Sequence, residues 1–166
     1  SGALAFVTVA YRIVQGGALA LEEEQDIVYR EPGAPVAAPV PRDAEPLPDG
    51  TWSRTVTPDT RLLFRFSALT LNAHRIHYDR DYARDVEGYP GLVVHGPLTA
   101  MLLLDLVRRH TDRPVIAFAF RGQAPLFDGA PVRLVGRPDG DRVALEAQGP
   151  DGRVALGAEA RLGETQ

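Results

Sequence analysis

Two short segments of this chain carry side chains able to move protons: Asn72-Ala-His74-Arg75-Ile-His77 and Val94-His95-Gly96-Pro97. A histidine titrates near neutrality, so it can take or give a proton at working pH. Gly96-Pro97 opens the most apolar stretch of the chain, Leu98 to Val107, which reads as a helix. The unpaired N–H groups at a helix start, with its dipole, suit an oxygen that becomes negative during a reaction. Gly96 lets a substrate approach the backbone closely, and Pro97 removes only an N–H that has no partner there. Histidines beside such a helix start are equipment for acid–base chemistry on a carbonyl compound.

Simpler roles compete with this one. A histidine near a helix start often caps or packs. His74-x-x-His77 with His95 sketches a metal set, but zinc sites usually want helix-borne i, i+4 spacing or a supporting carboxylate, so no metal is expected. His110, after Arg108-Arg109, reads as a helix C-terminal cation. Asp79 and Asp81 read as solvated or capping. Arg75, Arg80, Arg84 and Arg121 suit either phosphate contacts or an ordinary charged surface.

The bulk composition excludes several classes. Of the 166 residues, 45% are hydrophobic and 24% charged, as in an ordinary globular protein with room for one good core. All 18 basic residues are Arg, and the formal net charge of -4 speaks against a nucleic-acid partner. The absence of cysteine removes disulfides, thiolate metal sites and a Cys nucleophile, and fits a cytoplasmic protein. No apolar run approaches the ~20 residues that span a bilayer. Ser1-Gly-Ala-Leu4 lacks the basic start of a signal peptide.

The elements that must position these residues follow from pattern. Strands are predicted over 3–14 and from Ala18 to about Tyr29, joined at Gly16-Gly17, with Glu22-Glu23-Glu24 at an edge or in solvent. Pro32, Pro35, Pro39, Pro41, Pro46 and Pro48 then preclude a ladder or helix, giving an extended linker and a domain boundary. A strand is predicted over Thr51–Val56. A helix follows, with Thr57 as N-cap, Pro58 at its first position and Leu62, Leu63, Phe66 and Leu69 on one side. After the long apolar helix come strands at Pro114–Gln123, Ala130–Arg137, Arg142–Gln148 and Arg153–Leu162, with Asp139-Gly140 and Asp151-Gly152 as turns. A helix apolar nearly all round is expected to be buried. The simplest packing is α+β: an antiparallel sheet wrapped round that helix, a hot-dog fold.

His77-Tyr-Asp79-Arg-Asp-Tyr82-Ala83 resembles the His-x-Asp-x-x-Tyr-Ala tail of the MaoC-like hydratase/dehydratase motif. Val94-His95-Gly96-Pro-Leu-Thr-Ala100 resembles the Val-x-His-Gly-Met-x-x-Ala segment that opens the central helix of that family. The wording from Phe66 to Asp79 is most similar to the subgroup of hydroxyacyl-thioester dehydratase type 2 and mesaconyl- or itaconyl-CoA hydratases. This resemblance covers roughly residues 52 to 163. It implies three parts: residues 1–31 as closing strands of a preceding hot-dog repeat whose beginning the chain lacks, a linker over 32–50, and a MaoC-like domain over 51–166.

The resemblance also implies a hydro-lyase that interconverts enoyl and 3-hydroxyacyl thioesters, carried on CoA or a carrier protein, with no cofactor. Its chain would pair as a homodimer or with a second hot-dog repeat. The family's catalytic pattern is Asp-x-Asn-x-x-His. His77 carries over as its histidine and Asn72 as its polar partner. The helix-start argument adds Gly96 as the oxyanion position, and His74, Arg75, Val94 and His95 are expected to face the substrate. Asn72 lies five residues before His77 rather than three, and Thr70 stands two before Asn72, so the usual dyad Asp is missing. A hot-dog thioesterase and a non-catalytic acyl-thioester-binding repeat are the alternatives.

Overall fold

The computed structural model describes residues 4–30 and 35–164. They fall into two units, Ser1–Pro35 and Val36–Gln166. The boundary expected at 31–32 lies outside the described residues.

The first unit is a hairpin of β1 (Leu4–Gln15) and β2 (Ala18–Arg30). Leu4 faces Arg30 and Gln15 faces Ala18, with one register irregularity between Ile13 and Val14. Gly16 and Gly17 both take positive φ, 59° and 81°. That is why two glycines close this turn: paired left-handed residues match the twist of the strands. Glu22, Glu23 and Glu24 are exposed, which spares the strand the cost of burying carboxylates.

In the second unit, residues 36–50 form no helix or strand, as their proline density requires. They are nevertheless tied down. Val36 N–H donates to Gly88 O at 2.8 Å, Arg42 N–H to Pro150 O at 2.9 Å, and Arg133 to Glu45 O at 2.7 Å. There follow β3 (Trp52–Val56), α1 (Thr60–Leu69), a 3₁₀ turn (Arg75–His77), a π turn (Tyr82–Val86), α2 (Gly96–Arg108), β4 (Val115–Gly122), β5 (Val132–Asp139), β6 (Arg142–Gln148) and β7 (Val154–Leu162). The five strands β3 to β7 make one antiparallel sheet in the order β3-β5-β6-β7-β4. On β6, Val143, Leu145 and Ala147 are buried while Arg142 and Ala144 face out, the period of two that the sequence predicts.

α2 lies against β3, β5, β6 and β7. Leu103, Leu106 and Val107 are fully buried there, beside Val132, Leu134, Val143 and Leu145. The close approach needs Gly136. A Cβ at that position would stand 3.2 Å from both Leu145 Cδ2 and Trp52 Cε3, and 3.5 Å from Leu106 Cδ2.

Two expectations are corrected. α2 is not buried all round: Met101 is 58% exposed and Leu102 and Leu104 are partly so. At 100° per residue, Met101 points about 200° away from Leu103, and a sheet covers only one side of a helix. The cap of α1 is Asp59, not Thr57: its Oδ1 accepts the Leu62 N–H at 2.8 Å. An aspartate can satisfy an orphan helix donor directly, and Pro58 stays outside the helix. Among the described residues no helix is long and apolar enough to cross a membrane.

Candidate active site

The site is built where three pieces of chain are laced together: the 3₁₀ turn at 75–77, the segment 91–95 that leads into α2, and the loop at 126–128. Val93 N–H donates to Ile76 O at 3.0 Å, and Val94 N–H to Leu126 O at 2.8 Å. Asp128 closes the lacing. Its carboxylate accepts the Leu92 N–H at 2.9 Å and pairs with Arg80, and its own N–H donates to Leu92 O at 3.0 Å. Gly91 makes room for this carboxylate, because a Cβ there would stand 2.9 Å from Asp128 Oδ1.

This backbone lacing aims His77. Its Nδ1 lies 2.7 Å from Val93 O. A carbonyl only accepts, so Nδ1 carries a proton, and in the neutral ring Nε2 keeps a lone pair. Nε2 has no hydrogen-bond partner among the described residues. His77 is 8% exposed, and this burial favours the neutral ring, in which Nε2 is the free basic nitrogen. Burial lowers its pKa from the ordinary 6.5, the Val93 bond opposes this, and the neighbouring His74 lowers it further.

His95 stacks on His77, with ring centroids 3.7 Å apart and 19° between planes. It is 1% exposed, its Nε2 is 2.9 Å from Ser67 Oγ, and its Nδ1 is buried without a partner. Phe66 meets it edge-on at 4.8 Å. Burial first, and the charge His77 would carry second, lower the His95 pKa to about 4. His95 also ends the loop as the N-cap of α2, without a side-chain cap bond. Gly96 and Pro97 are exposed at the start of that helix; Pro97 has no N–H and Thr99 N–H donates to His95 O at 3.1 Å, so the first-turn N–H groups without a helical partner are those of Gly96 and Leu98.

The remaining expected site residues are placed as follows. His74 is exposed and meets His77 edge-on at 5.6 Å. Val94 is buried beneath the loop. Arg75 is drawn to its own turn: it pairs with Asp79 at 2.8 Å and lies 4.0 Å over the Tyr82 ring. Asp79 also accepts the Tyr82 N–H, and these bonds hold its carboxyl below the usual range. Asn72 is exposed and its Oδ1 accepts the His74 N–H at 3.0 Å. Just before it, Leu71 has φ 54°, the one positive φ among described non-glycine residues, so the chain turns sharply between α1 and the histidines. Counted back from His77, Asn72 takes the place of the Asp in Asp-x-Asn-x-x-His and His74 that of the Asn; Thr70 lies outside the pattern. An amide has the shape of the carboxylate without its charge.

Ser67 was not singled out by the sequence reading. The available signal is its spacing: it stands four residues after Leu63, on the same inward face of α1, and a polar group there must find a partner. Among the described residues no three His, Asp or Glu side chains gather as a metal-binding group.

The buried imidazoles have a consequence for acid stability. On unfolding, His95 regains a pKa near 6.5, so below that pH the unfolded chain takes up a proton that the fold refuses. Its cost is absent above pH 6.5 and grows as pH falls towards 4, reaching on the order of 3 kcal/mol. His77 acts in the same direction. Urea midpoints at intervals between pH 7.5 and 4.5 should fall steadily; a flat profile over that window would contradict neutral burial.

Residues 3–128 match the hydroxyacyl-thioester dehydratase type 2 family. The chain is 68% identical over 163 residues to a mesaconyl-C(4)-CoA hydratase of Chloroflexus aurantiacus, covering 98% of this chain and 58% of that relative. It thus spans little more than half the length of that protein. Among solved structures, HtdX from Mycobacterium tuberculosis superposes with a TM-score of 0.70 at 18% identity, over 94% of this chain and 61% of that one. The (R)-hydratase of A. caviae involved in PHA biosynthesis gives 0.62 at 18% identity, over 69% and 94%. These two likenesses establish the hot-dog fold, and the family match and the sequence identity together show that the chain belongs to the hydroxyacyl-thioester dehydratase type 2 family.

Proposed function

We propose that this chain is a hydro-lyase acting on an enoyl or 3-hydroxyacyl thioester. The observation that carries the reading is the 2.7 Å contact of His77 Nδ1 with Val93 O in a buried ring: Nδ1–H is committed there, and the neutral ring offers Nε2 as a base. In the hydration direction, Nε2 takes a proton from water as the hydroxyl oxygen bonds to Cβ of the enoyl group. Electron density moves through Cα to the thioester oxygen, which the N–H groups opening α2 stabilise. The proton then returns to Cα. Dehydration is the reverse. His95, neutral and stacked on His77, keeps one face of the base dry. The uncharged Asn72 leaves His77 without a carboxylate partner, so the proton work falls on the imidazole.

Because the Chloroflexus relative is a mesaconyl-C(4)-CoA hydratase, a branched dicarboxylic enoyl-CoA is the first substrate to try, with crotonyl-CoA as the unbranched control. Loss of the conjugated absorbance, with growth of the hydroxyacyl product, tests the reading; unchanged absorbance with all such thioesters would overturn it. The hairpin is read as part of a preceding hot-dog repeat, with pairing to such a repeat or to a second chain in a cytoplasmic setting. The superposition on HtdX covers 94% of this chain and so takes in most of the hairpin, which supports the repeat part of this reading at the level of fold.

One observation favours a second reading. No carboxylate among the described residues contacts His77, which suits a repeat that binds acyl thioesters without turning them over. Tight acyl-CoA binding without loss of absorbance would support it. The same gap weighs against a thioesterase, which normally needs a carboxylate base; free thiol release would reveal one.

Gly96 separates binding from folding. A Cβ at Gly96 would meet nothing within 4 Å, so Gly96→Ala should leave the melting temperature nearly unchanged. The methyl would nevertheless stand where the thioester must approach the helix start. We expect kcat/KM to fall about 10²-fold, the usual cost of a displacement of about 1 Å at a reacting centre. Unchanged kcat/KM would remove Gly96 from the oxyanion site.

A further inference from the structure

We propose that Ser67 is a positioning residue for this reaction: its hydrogen bond to His95 Nε2 holds His95 face-on against His77. The kinetic part of this inference rests on the hydro-lyase reading; the positioning of His95 does not.

The Ser67 hydroxyl and His95 Nε2 are 2.9 Å apart, and the hydroxyl has no other hydrogen-bond partner among the described residues. His95 Nδ1 is buried with none. In either tautomer this one bond satisfies both Oγ and Nε2, so losing it would leave two buried polar groups unmatched. Both residues are buried, Ser67 at 6% and His95 at 1% exposure.

That bond sets the orientation of the whole stack. A flip of the His95 ring, or a swing away from His77, breaks the only bond its side chain makes. While it holds, the His95 ring lies 3.7 Å from that of His77 and shields one face from water. The titratable groups facing His77 are His74, from its own turn, and His95, from the start of α2. α1 presents Ser67 and Phe66 to the pair. Ser67 is therefore the polar anchor through which α1 reaches the base, and it does so without touching His77 itself.

The test uses the full 166-residue chain, Ser67→Ala and the conservative Ser67→Thr. Long-range ¹H–¹⁵N spectra follow the imidazoles in each protein. In Ser67→Ala the His77 pKa, followed by the same spectra, should rise towards 6.5 as water reaches its face. With enoyl-CoA as substrate, kcat should fall about tenfold with KM changed less than twofold, and the acid limb of the rate profile should move with the His77 pKa. Ser67→Thr should restore both. A residue needed only for packing would lower the melting temperature and leave pKa and kcat in place; that result overturns the proposal. If Ser67→Ala does not fold, Ser67→Cys, which keeps the volume but weakens the hydrogen bond, takes its place with the same expected and overturning results. If the wild type turns over no thioester but the His77 pKa still moves in Ser67→Ala, the positioning role stands and the hydro-lyase reading falls.

Discussion

His77→Gln should lose on the order of 10³-fold in kcat with enoyl-CoA while keeping a native circular dichroism spectrum. The size follows from the role. Positioned general acid–base catalysis contributes typically 10²–10⁴-fold, and no carboxylate stands by His77 among the described residues to share the work. Glutamine can still donate an amide N–H towards Val93 O and still fill the space beside His95, so the fold should survive. What it lacks is a lone pair of suitable basicity in place of Nε2. The same variant should lose the acid limb that the lowered His77 pKa places below 6.5. In the wild type, kcat/KM in the hydration direction should fall as pH drops below that limb, because protonated Nε2 cannot accept a proton. A variant with near-wild-type turnover would exclude His77 as the base.

Leu103→Ala should destabilise the second unit by about 2–5 kcal/mol, measured by urea denaturation. Leu103 is fully buried on the sheet-facing side of α2, amid the apolar side chains of β5, β6 and β7. Removing it opens a cavity under a helix that cannot collapse inward, because Gly136 already brings β5 and Trp52 to contact distance. Met101, three-fifths exposed on the same helix, is the internal control. Met101→Ala should cost well under 1 kcal/mol, since little of its surface leaves water on folding. Equal costs at the two positions would mean that α2 is covered on both sides.

Much of the fold was legible because its rules are local. The alternation of Val143, Leu145 and Ala147 predicts a half-buried strand, and the glycines at 140 and 152 take the positive φ that tight turns require. The run Leu98–Val107 predicts the central helix, and Gly96-Pro97 its start. The proline count over 36–50 predicts an absence of regular structure. Burial was less legible. The same leucines predict a helix covered all round, yet composition says nothing about how many sides a sheet can reach. The cap was missed by two residues, because Thr57 and Asp59 both have suitable side chains and only the backbone path decides which oxygen meets the Leu62 N–H.

The sequence by itself determined which residue types are present near one helix start: two histidines ahead of a loop, a third histidine and a glycine at its end. Its motifs His77–Ala83 and Val94–Ala100 also carry the resemblance to the MaoC-like family. Only the tertiary structure decided what each does. His77 and His95 stack because Val93 is bonded to Ile76 and to the His77 ring, a contact between segments sixteen residues apart. Arg75, equally plausible as a phosphate ligand, is taken up by Asp79 and Tyr82. Ser67 enters the site through a hydrogen bond across twenty-eight residues. Tautomer, pKa and dryness depend on which groups lie within a few ångströms, and chain separation does not report that distance.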